Sequence, residues 1–326
     1  MRAWSAGGRP LAEGSGRILL SAIGGRIRWD ASKLLGGAFD VAGMPDLRVG
    51  NRNAGGRVRI FARNGELFAT AVVPLETYVA AVVSREAGPR FHAEALAALA
   101  VAVRTYASGA AAKPRDPEYD LAGTVEDQVF EGVDGVAPVF REAAERTRGM
   151  TVRYRGEIAQ AVFHSTCGGR TESALSAWGR DVPYLRAQPC DDCSGSPAYR
   201  WEYRMPAAEG RRVAQALGVA PGRDLRFLVT ARTPTGRADR VRISSGGVSR
   251  EMRAAEFRKA AGYAKVRSLK MEVLPAAAGW RFTGEGYGHG VGMCQFGADG
   301  MARRGAGYRA ILARYYPGTD IAGAPP

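Results

Sequence analysis

Apolar residues between Pro74 and Tyr106 recur three or four positions apart, which is the spacing of one face of an α-helix. A first stripe, flanked by Pro74 and Gly88, comprises Leu75, Tyr78, Val79, Val82 and Val83. A second stripe, from His92 to Ser108, comprises Leu96, Leu99, Ala100, Val103 and Tyr106 or Ala107. The pattern predicts two helices, and the many Ala residues of the second favour close packing of the pair as an αα-hairpin.

Shorter runs that alternate between apolar and polar residues predict strands in other parts of the chain. Several lie between Arg17 and Val73, where Asn64-Gly65 is a strong hairpin signal. A second hairpin is predicted at Arg155-Gly156. Further helices are predicted over residues 138–149, 207–217 and 308–316.

The fold class predicted from this order is α+β: a β-rich platform, a packed αα-hairpin that carries the candidate site, and an inserted smaller α+β subdomain. The chain of 326 residues has room for about two domains, or for one domain with a large insertion. Residues 1–15 are rich in Gly, Ala and Ser and are predicted to be flexible. Residues 16–193 and 276–321 are assigned to the core, and residues 194–275 to the inserted subdomain.

Glu86 continues the first apolar stripe by one helical step, so a carboxylate falls on the face that is predicted to be buried. Partial burial and the negative end of the helix dipole both disfavour a charged carboxylate, and we expect them to raise its pKa. A general acid that works near neutral pH needs such a raised pKa. A glutamate at a helix end is more often structural, paired here with Arg85, Arg90 or Arg104, and the stripe alone does not decide between the two roles.

The net charge of +14 favours an acidic partner such as an anionic wall polymer. The basic residues are scattered, and no interleaved stripe of aromatic and basic residues stands out, so we expect no nucleic-acid partner. We also expect no membrane span, because no window approaches about 18 consecutive apolar residues. Residues 1–20 show no apolar core of a secretory signal, which leaves the route of export open.

Three of the four cysteines and one of the three histidines follow the spacing of a metal site. His164 and Cys167 in HSTCGG give H-x2-C, and Cys190 and Cys193 in CDDC give C-x2-C. A zinc ion held by these four residues would be structural, since no ligand position is left for a reacting water. Two alternatives stay open: a disulfide from Cys167 to a later cysteine, and unmodified thiols.

Five glycines alternate with other residues in GEGYGHGVG, residues 284–292, and leave one face of an extended segment bare. A polymer or another backbone can approach such a face closely. His289 lies inside this run near Tyr287 and Gln295, and we treat these three as candidate substrate contacts. The glycine spacing is not that of a phosphate-binding loop, and the chain has no G-x-S-x-G nucleophile motif.

Several blocks, in order, resemble the family of sporulation stage II protein D and the amidase enhancer LytB. The blocks are PLETYVAAVVSREAG (74–88), FHAEALAALAVAVRTYA (91–107), QVFEG (128–132), TRGMTVRYRGEIAQAVFHSTCGGRTE (147–172), VPYL (182–185) and GHGVGMCQFGADGMARRGAGYRAILARYYPGT (288–319). Together they cover most of the chain, and several blocks in the same order are far more specific than any single motif.

The resemblance implies a protein that acts on peptidoglycan. The sporulation members look like lytic transglycosylases, which cleave the MurNAc-GlcNAc bond of glycan strands stripped of stem peptides and leave 1,6-anhydro ends. The family's catalytic carboxylate maps onto Glu86, and Arg104 and Tyr106 are expected to contact the substrate. One carboxyl group suffices for this reaction, which agrees with the lack of a convincing second acid in the sequence. Zinc binding by some members near HSTCGG maps onto His164 and Cys167.

The same resemblance implies an alternative, since the family includes proteins described as enhancers of a separate N-acetylmuramoyl-L-alanine amidase. Many members carry Lys and Gln in the second helix where this chain has Ala97 and Leu99, so any substrate contact from those positions is lost. A non-catalytic wall-binding enhancer with an amidase partner is therefore retained beside the transglycosylase, with a zinc-dependent hydrolase as a third hypothesis. The expected substrate places the protein in the cell envelope, outside the cytoplasm.

Overall fold

The structure, a computed structural model, describes residues 1–30, 33–43, 46–124 and 127–323. It is a mixed α and β structure, which is compatible with the predicted α+β class. The described residues fall into two compact units. The first contains residues 1–90 and 103–151 with Gly323, and the second contains residues 91–102 and 152–322.

The amino-terminal part of the first unit consists of short strands. These are β1 (Arg2–Trp4), β2 (Pro10–Glu13), β3 (Leu20–Ile23), β4 (Arg26–Trp29), β5 (Lys33–Leu35), β6 (Ala38–Ala42), β7 (Arg48–Val49), β8 (Arg52–Asn53), β9 (Arg57–Arg63) and β10 (Glu66–Ala71). Five of them form a sheet in the order β10-β9-β6-β1-β2, and β3, β4 and β5 form a second sheet. Ile27, Trp29, Phe39 and Val58 form part of a core cluster in this region.

Two features of this region bear on the sequence predictions. The hairpin predicted at Asn64-Gly65 is confirmed: it joins β9 to β10, and the positive φ angles of 52° and 80° at the two residues suit a type I′ turn. Residues 1–15, by contrast, contain β1 and β2 of the five-stranded sheet, and the Met1 amine donates to Gly14 O at 2.8 Å. Strand pairing therefore orders a segment whose composition predicted flexibility.

The helices of this part of the chain are α1 (Leu75–Glu86), α2 (Ala93–Ala112) and α3 (Pro138–Arg146). Pro74 is the residue that caps α1, and Ala87 ends it in an extended conformation. Val79, Val82 and Val83 are buried, but Leu75 is 41% exposed, so the buried stripe begins one turn later than the pattern indicates. The packing of α1 and α2 as an αα-hairpin stays a prediction.

Helix α2 is long and apolar enough, by length and composition alone, to cross a membrane. The sequence shows no uninterrupted apolar stretch here, because α2 contains Glu94, Arg104 and several small residues. Residues 95–105 are all buried inside the protein, as expected for a core helix. The helix is therefore weak evidence for a membrane span.

The chain from residue 151 onward contains strands and helices in alternation. They are β11 (Thr151–Tyr154), β12 (Glu157–Ile158), β13 (Phe163–His164), α4 (Ala174–Trp178), β14 (Arg200–Pro206), α5 (Ala207–Ala216), β15 (Arg226–Arg232), β16 (Ala238–Ser245), β17 (Val248–Arg253), α6 (Ala254–Ala261), β18 (Met271–Ala276), β19 (Gly279–Glu285), β20 (Met293–Cys294), α7 (Gln295–Arg303), α8 (Tyr308–Tyr315) and β21 (Asp320–Ala322).

Two three-stranded sheets, β14-β19-β18 and β15-β16-β17, contain most of the strands of residues 194–275, the predicted insertion, but β19 comes from the following residues that were assigned to the core. They share a core cluster with α5 and α6 that includes Trp201, Phe227, Phe257 and Phe282. A short parallel pair, β13 with β20, sets His164 opposite Cys294. This pair brings together two segments that the sequence analysis treated as separate candidate sites.

Candidate functional site

Glu86 is the last residue of α1 and is half-buried. The Ala87 N–H donates to Val83 O at 2.9 Å, so the backbone beside the carboxylate is fixed. Tyr78 lies two turns earlier on α1. The pKa of Tyr78 is raised mainly by burial, and further by the negative charges of Asp127 and Glu86. The Glu86 carboxylate and the Tyr78 hydroxyl are therefore within electrostatic range of each other.

The QVFEG segment, residues 128–132, runs along α1. The Tyr78 hydroxyl donates to Gln128 Oε1 at 2.9 Å, and the rings of Tyr78 and Phe130 stack with centroids 5.5 Å apart. At the other end of the helix, Arg85 pairs with Glu131 at 3.4 Å. The segment thus borders the end of α1 where Glu86 lies, a role that the sequence alone did not indicate.

Arg104 has no exposed surface, and its guanidinium binds Glu76. Nε donates to Glu76 Oε1 at 2.9 Å and Nη2 to Glu76 Oε2 at 2.5 Å. The remaining donors reach Ala144 O, Met150 O and Thr147 Oγ1. Contact between Arg104 and a substrate stays a prediction, and this complete burial argues against it.

Tyr106 is also held by protein groups. Its hydroxyl donates to Asp127 Oδ1 at 2.8 Å, and burial together with this bond raises the pKa of Tyr106 to about 12. Asp127 also accepts from the Ala122 N–H at 2.9 Å and pairs with Arg115. The Tyr106 side chain therefore organises the loop that follows α2.

The glycine run of residues 284–292 packs against the chain's own backbone. The Thr166 N–H donates to Tyr287 O at 3.0 Å, and the Tyr287 N–H donates to Thr166 O at 2.7 Å. A Cβ on Gly288 would lie 2.7 Å from His164 Cβ, and one on Gly292 would lie 2.1 Å from Val162 O. Of the two interpretations of this run, close approach by another backbone is the one that the contacts support.

His289 uses both ring nitrogens inside the protein. Nε2 donates to Phe163 O at 2.9 Å, and Nδ1 accepts from the Val291 N–H at 3.1 Å. Burial lowers the pKa of His289 to about 4, so the ring is neutral at pH 7. With both nitrogens bonded inside the protein, only the face of the His289 ring is left for a contact with a ligand. The ring centroid lies 5.3 Å from that of Trp178, which is 40% exposed.

The two neighbours of His289 that were predicted to contact substrate differ in exposure. Tyr287 is half-buried, with the Arg267 guanidinium 5.9 Å from its ring. Gln295 is only 3% exposed, at the start of α7. Glu86, Arg104 and Tyr106 belong to the first compact unit, and Tyr287, His289 and Gln295 to the second.

Two of the grooves among the described residues are well formed, and neither of these two is lined by a predicted site residue. One of about 630 Å³ lies on the β14-β19-β18 sheet, where Arg232 pairs with Glu272 and Lys270 with Glu285, each at 2.6 Å. The other, about 350 Å³, is lined by Glu76 and by residues of α1 and α3. It adjoins the beginning of α1, and Glu86 lies at the end of that helix.

The four cysteines of the chain form one buried group. The Sγ atoms of Cys167, Cys190, Cys193 and Cys294 all lie within 4.8 Å of one another, and none of the four is disulfide-bonded. Four sulfurs at about 2.3 Å from one tetrahedral ion are roughly 3.8 Å apart, so the group fits a single ion. We call it the four-cysteine group. It could bind a metal.

His164 is not part of the four-cysteine group, although it was predicted to be a ligand. Its Nδ1 donates to Val291 O at 3.0 Å, and its Nε2 is buried with no hydrogen-bond partner among the described residues. Cys294 stands in its place beside the other three sulfurs. The predicted ligand set with His164 stays a prediction, and the sulfur that the structure brings to Cys167 is that of Cys294, because β13-β20 pairing joins segments 127 positions apart.

Hydrogen bonds to sulfur support thiolates in this group. Cys294 Sγ accepts from the N–H groups of Cys167 and Gly297, each at 3.3 Å, the second at the start of α7. The Tyr315 hydroxyl lies 3.2 Å from Cys190 Sγ. Contact with the Cys167 thiol lowers the pKa of Cys193, whereas contact with Cys190 raises the pKa of Cys167 and burial raises the pKa of Cys294. Thiolates are the form of cysteine that binds metals.

Comparison with known proteins gives two family matches. The family described as Stage II sporulation protein matches residues 63–154, and a Domain of unknown function (DUF8618) matches residues 182–292. The first match contains α1, α2 and α3, and the second contains all of residues 194–275, the region that was predicted to be an insertion.

Individual relatives extend the similarity over most of the chain. The stage II sporulation protein D of Bacillus amyloliquefaciens is 31% identical over 273 residues, 77% of this chain and 75% of that protein. An uncharacterised protein of Brachyspira hyodysenteriae is 30% identical over 267 residues, 82% of this chain and 71% of that protein. The amidase enhancer of Bacillus subtilis is 26% identical over 285 residues, 74% of this chain but 39% of that protein.

Proposed function

Because this chain belongs to the family of stage II sporulation protein D and the amidase enhancer, we propose that it is a lytic transglycosylase of peptidoglycan with Glu86 as its acid and base. The observation that carries the proposal is the half-buried carboxylate at the end of the buried apolar stripe of α1. The proposed substrate is the MurNAc-GlcNAc bond of glycan strands, so the proposed location is the cell envelope.

One carboxyl group can carry both proton transfers of this reaction. The protonated Glu86 gives its proton to the glycosidic oxygen while the bond from that oxygen to C1 breaks. The resulting carboxylate then takes the proton of the C6 hydroxyl as O6 forms a bond to C1, which closes the 1,6-anhydro ring. No water is consumed, and Glu86 ends in its starting protonation state.

A specific feature favours the alternative function, a non-catalytic enhancer that binds the wall and stimulates an amidase. Ala97 and Leu99 occupy positions where many relatives carry Lys and Gln, and here both side chains are buried in α2, at 0% and 2% exposure. These positions offer a glycan no polar contact. The amidase partner of this alternative is a proposal drawn from the similarity to the amidase enhancer.

Digestion of purified glycan strands distinguishes the two functions. We expect Glu86→Gln to reduce the release of anhydro products by about 10²–10⁴-fold, the usual contribution of a general acid or base. Glu142→Gln, which changes an exposed carboxylate on α3 in the same unit, is the matched control and should keep wild-type activity. Products are identified by mass spectrometry, and sedimentation with sacculi reports binding separately.

Anhydro products from Glu86→Gln at the wild-type rate would refute its catalytic role. Wild-type protein that sediments with sacculi, releases no products and accelerates a purified amidase would establish the enhancer function instead.

We also propose that the four-cysteine group holds one structural zinc ion. Its ligands would be Cys167, Cys190, Cys193 and Cys294, which leave no position for a reacting water. The zinc would tie together the loop after β13, the turn at residues 190–193 and the start of α7. This arrangement disfavours the third hypothesis, a zinc-dependent hydrolase, because such an enzyme needs an open ligand position.

A further inference from the structure

Arg237 is a buried cation beside the four-cysteine group. Only 3% of its surface is exposed. Nη2 donates to Cys167 O and to Arg170 O, each at 2.8 Å, and Nη1 donates to Thr235 Oγ1 at 3.0 Å. Gly290 passes over the guanidinium so closely that a Cβ there would lie 2.7 Å from Nη2. Burying a cation in this way is unfavourable unless negative charge lies near it.

The hydrogen bonds of Arg237 do not supply that negative charge. Within the described ranges, every oxygen that it contacts is an uncharged carbonyl or hydroxyl oxygen, and its Nε is buried without a hydrogen-bond partner. Glu172 acts on it through space. The Glu172 carboxylate accepts from the Ser173 N–H at 2.8 Å and from the Thr233 and Thr235 hydroxyls at 2.6 and 2.5 Å.

The four-cysteine group is the other source of negative charge beside Arg237, because Nη2 donates at 2.8 Å to the backbone oxygen of Cys167, one of its four residues. Four thiolates around one divalent zinc ion carry a net charge of −2, so a metal centre here is an anion inside the protein. A buried anion and a buried cation each reduce the cost of burying the other, and removing one partner leaves the other uncompensated.

We propose that Arg237 is the counter-charge of an anionic zinc–tetrathiolate centre at the four-cysteine group and that it sets the affinity of this centre for the metal. The inference rests on the proposed zinc and is independent of Glu86. Arg237 acts in two ways: its charge stabilises the thiolates, and its bond to Cys167 O fixes the backbone of a ligand residue. Groups that orient metal ligands in this manner commonly change affinity by about 10–100-fold.

Zinc affinity is measured on the full-length chain by competition with a chromophoric chelator, and Co²⁺ binding by the absorption bands of tetrahedral thiolate coordination. We expect Arg237→Met to bind zinc at least about tenfold more weakly than wild type. Arg237→Lys keeps the positive charge but lacks the several N–H donors of the guanidinium. Its zinc affinity should therefore lie between those of Arg237→Met and wild type.

Arg258→Met is the matched control. Arg258 is 8% exposed, donates to two backbone carbonyls, Val266 O and Arg267 O, and has its guanidinium 4.8 Å from the centroid of the Tyr263 ring. It should bind zinc within about threefold of wild type. Near-UV circular dichroism checks that each variant is folded. If Arg237→Met does not fold, the proposal is tested with Arg237→Lys. A zinc affinity between that of wild type and a tenfold loss then supports the proposal.

Equal zinc affinity in Arg237→Met and Arg258→Met would overturn the proposal, as would wild-type affinity in Arg237→Met. Wild-type protein that binds neither Zn²⁺ nor Co²⁺ would overturn both this inference and the proposed structural zinc. Neither result would bear on the glycan-cleaving function, which is measured separately.

Discussion

Arg104 directs its donors to Glu76, to two backbone carbonyl groups and to Thr147, and all of its surface is buried. The two charged residues are 28 positions apart, and Gly149 N–H also donates to Glu76 at 3.2 Å. Breaking a buried ion pair by removing one partner costs about 3–5 kcal/mol. If an Arg104 variant loses activity, the loss is therefore explained by destabilisation of the fold and is not evidence for a substrate contact.

The pH dependence of stability should show the burial of His289. Its pKa is lowered to about 4 by burial, below the value of about 6.5 for an exposed histidine. Between these pH values the unfolded chain binds a proton that the folded chain does not. The free energy of unfolding should therefore fall as pH falls from about 6.5 to about 4, by up to about 1.4 kcal/mol per pH unit for this residue.

The measurement is chemical denaturation of wild type and His289→Gln across this range. We expect the difference in stability between the two to shrink as pH falls, because only wild type carries the histidine penalty. His92→Gln, at an exposed position, is the control for the loss of an imidazole as such. A difference between wild type and His289→Gln that does not change with pH would contradict the prediction.

Single residues were predictable from the sequence where the signal is local. C-x2-C placed Cys190 and Cys193 correctly as neighbours, and the helical stripe placed Glu86 at the end of α1. Cys294 was not among the predicted ligands, because nothing in a linear pattern indicates that a residue 127 positions from Cys167 will meet it. Arg237 is similar: its role depends on contacts that only the fold creates.

Among the elements, the glycine run offers a prediction about packing. Gly292 has a φ of 71°, and a Cβ there would lie 2.1 Å from Val162 O. Gly292→Ala therefore combines a strained backbone, about 1–3 kcal/mol, with a collision against backbone that cannot rotate away. We expect a loss of at least about 3 kcal/mol in the free energy of unfolding, measured by denaturation.

Gly305→Ala is the matched control, because Gly305 has a φ of 92° but no atom within 4 Å of its added Cβ. It should lose only the strain, about 1 kcal/mol or slightly more. Equal losses of unfolding free energy in the two variants would show that Gly292 is required only for its backbone angle and not for its close approach to residue 162.

Elements with a strong local signal were predicted well, and elements formed by packing were not. The turn residues Asn64-Gly65 defined the β9-β10 hairpin, and helix periodicity located α1, α2 and α3 to within a few residues. Helix α7 was not predicted, because it contains Gly297 and Gly300, which disfavour a helix. Both glycines let α7 approach Cys190 and Asp192, where any side chain would collide, so tertiary packing overrides propensity.

At the scale of the whole molecule, the two compact units do not follow the chain in order. Residues 91–102 of α2 belong to the second unit and residues 103–112 to the first. The four-cysteine group lies entirely in the second unit and joins residues 167, 190, 193 and 294, which span most of its length. A metal that binds only the folded chain stabilises it by about 4 kcal/mol when free metal is 1,000 times its Kd.

Removal of the metal should therefore destabilise the second unit. With about 2–4 °C per kcal/mol for a unit of this size, a strong chelator should lower its melting temperature by roughly 8–16 °C. Hydrogen exchange should increase around Cys167, at residues 190–193 and at the start of α7, and should remain unchanged in β1, β6 and β9 of the first unit. Added zinc should restore both measurements.

Two variants distinguish the proposed four-cysteine ligand set from the set with His164 that the sequence predicted. Cys294→Ser should melt like the chelated wild type and respond little to zinc, because it lacks one of four thiolates. His164→Ala should still gain stability from zinc, because its imidazole lies outside the group and bonds to Val291 O. If His164→Ala lost the response to zinc and Cys294→Ser kept it, the metal would be held by three cysteines and the histidine, as the H-x2-C spacing first indicated.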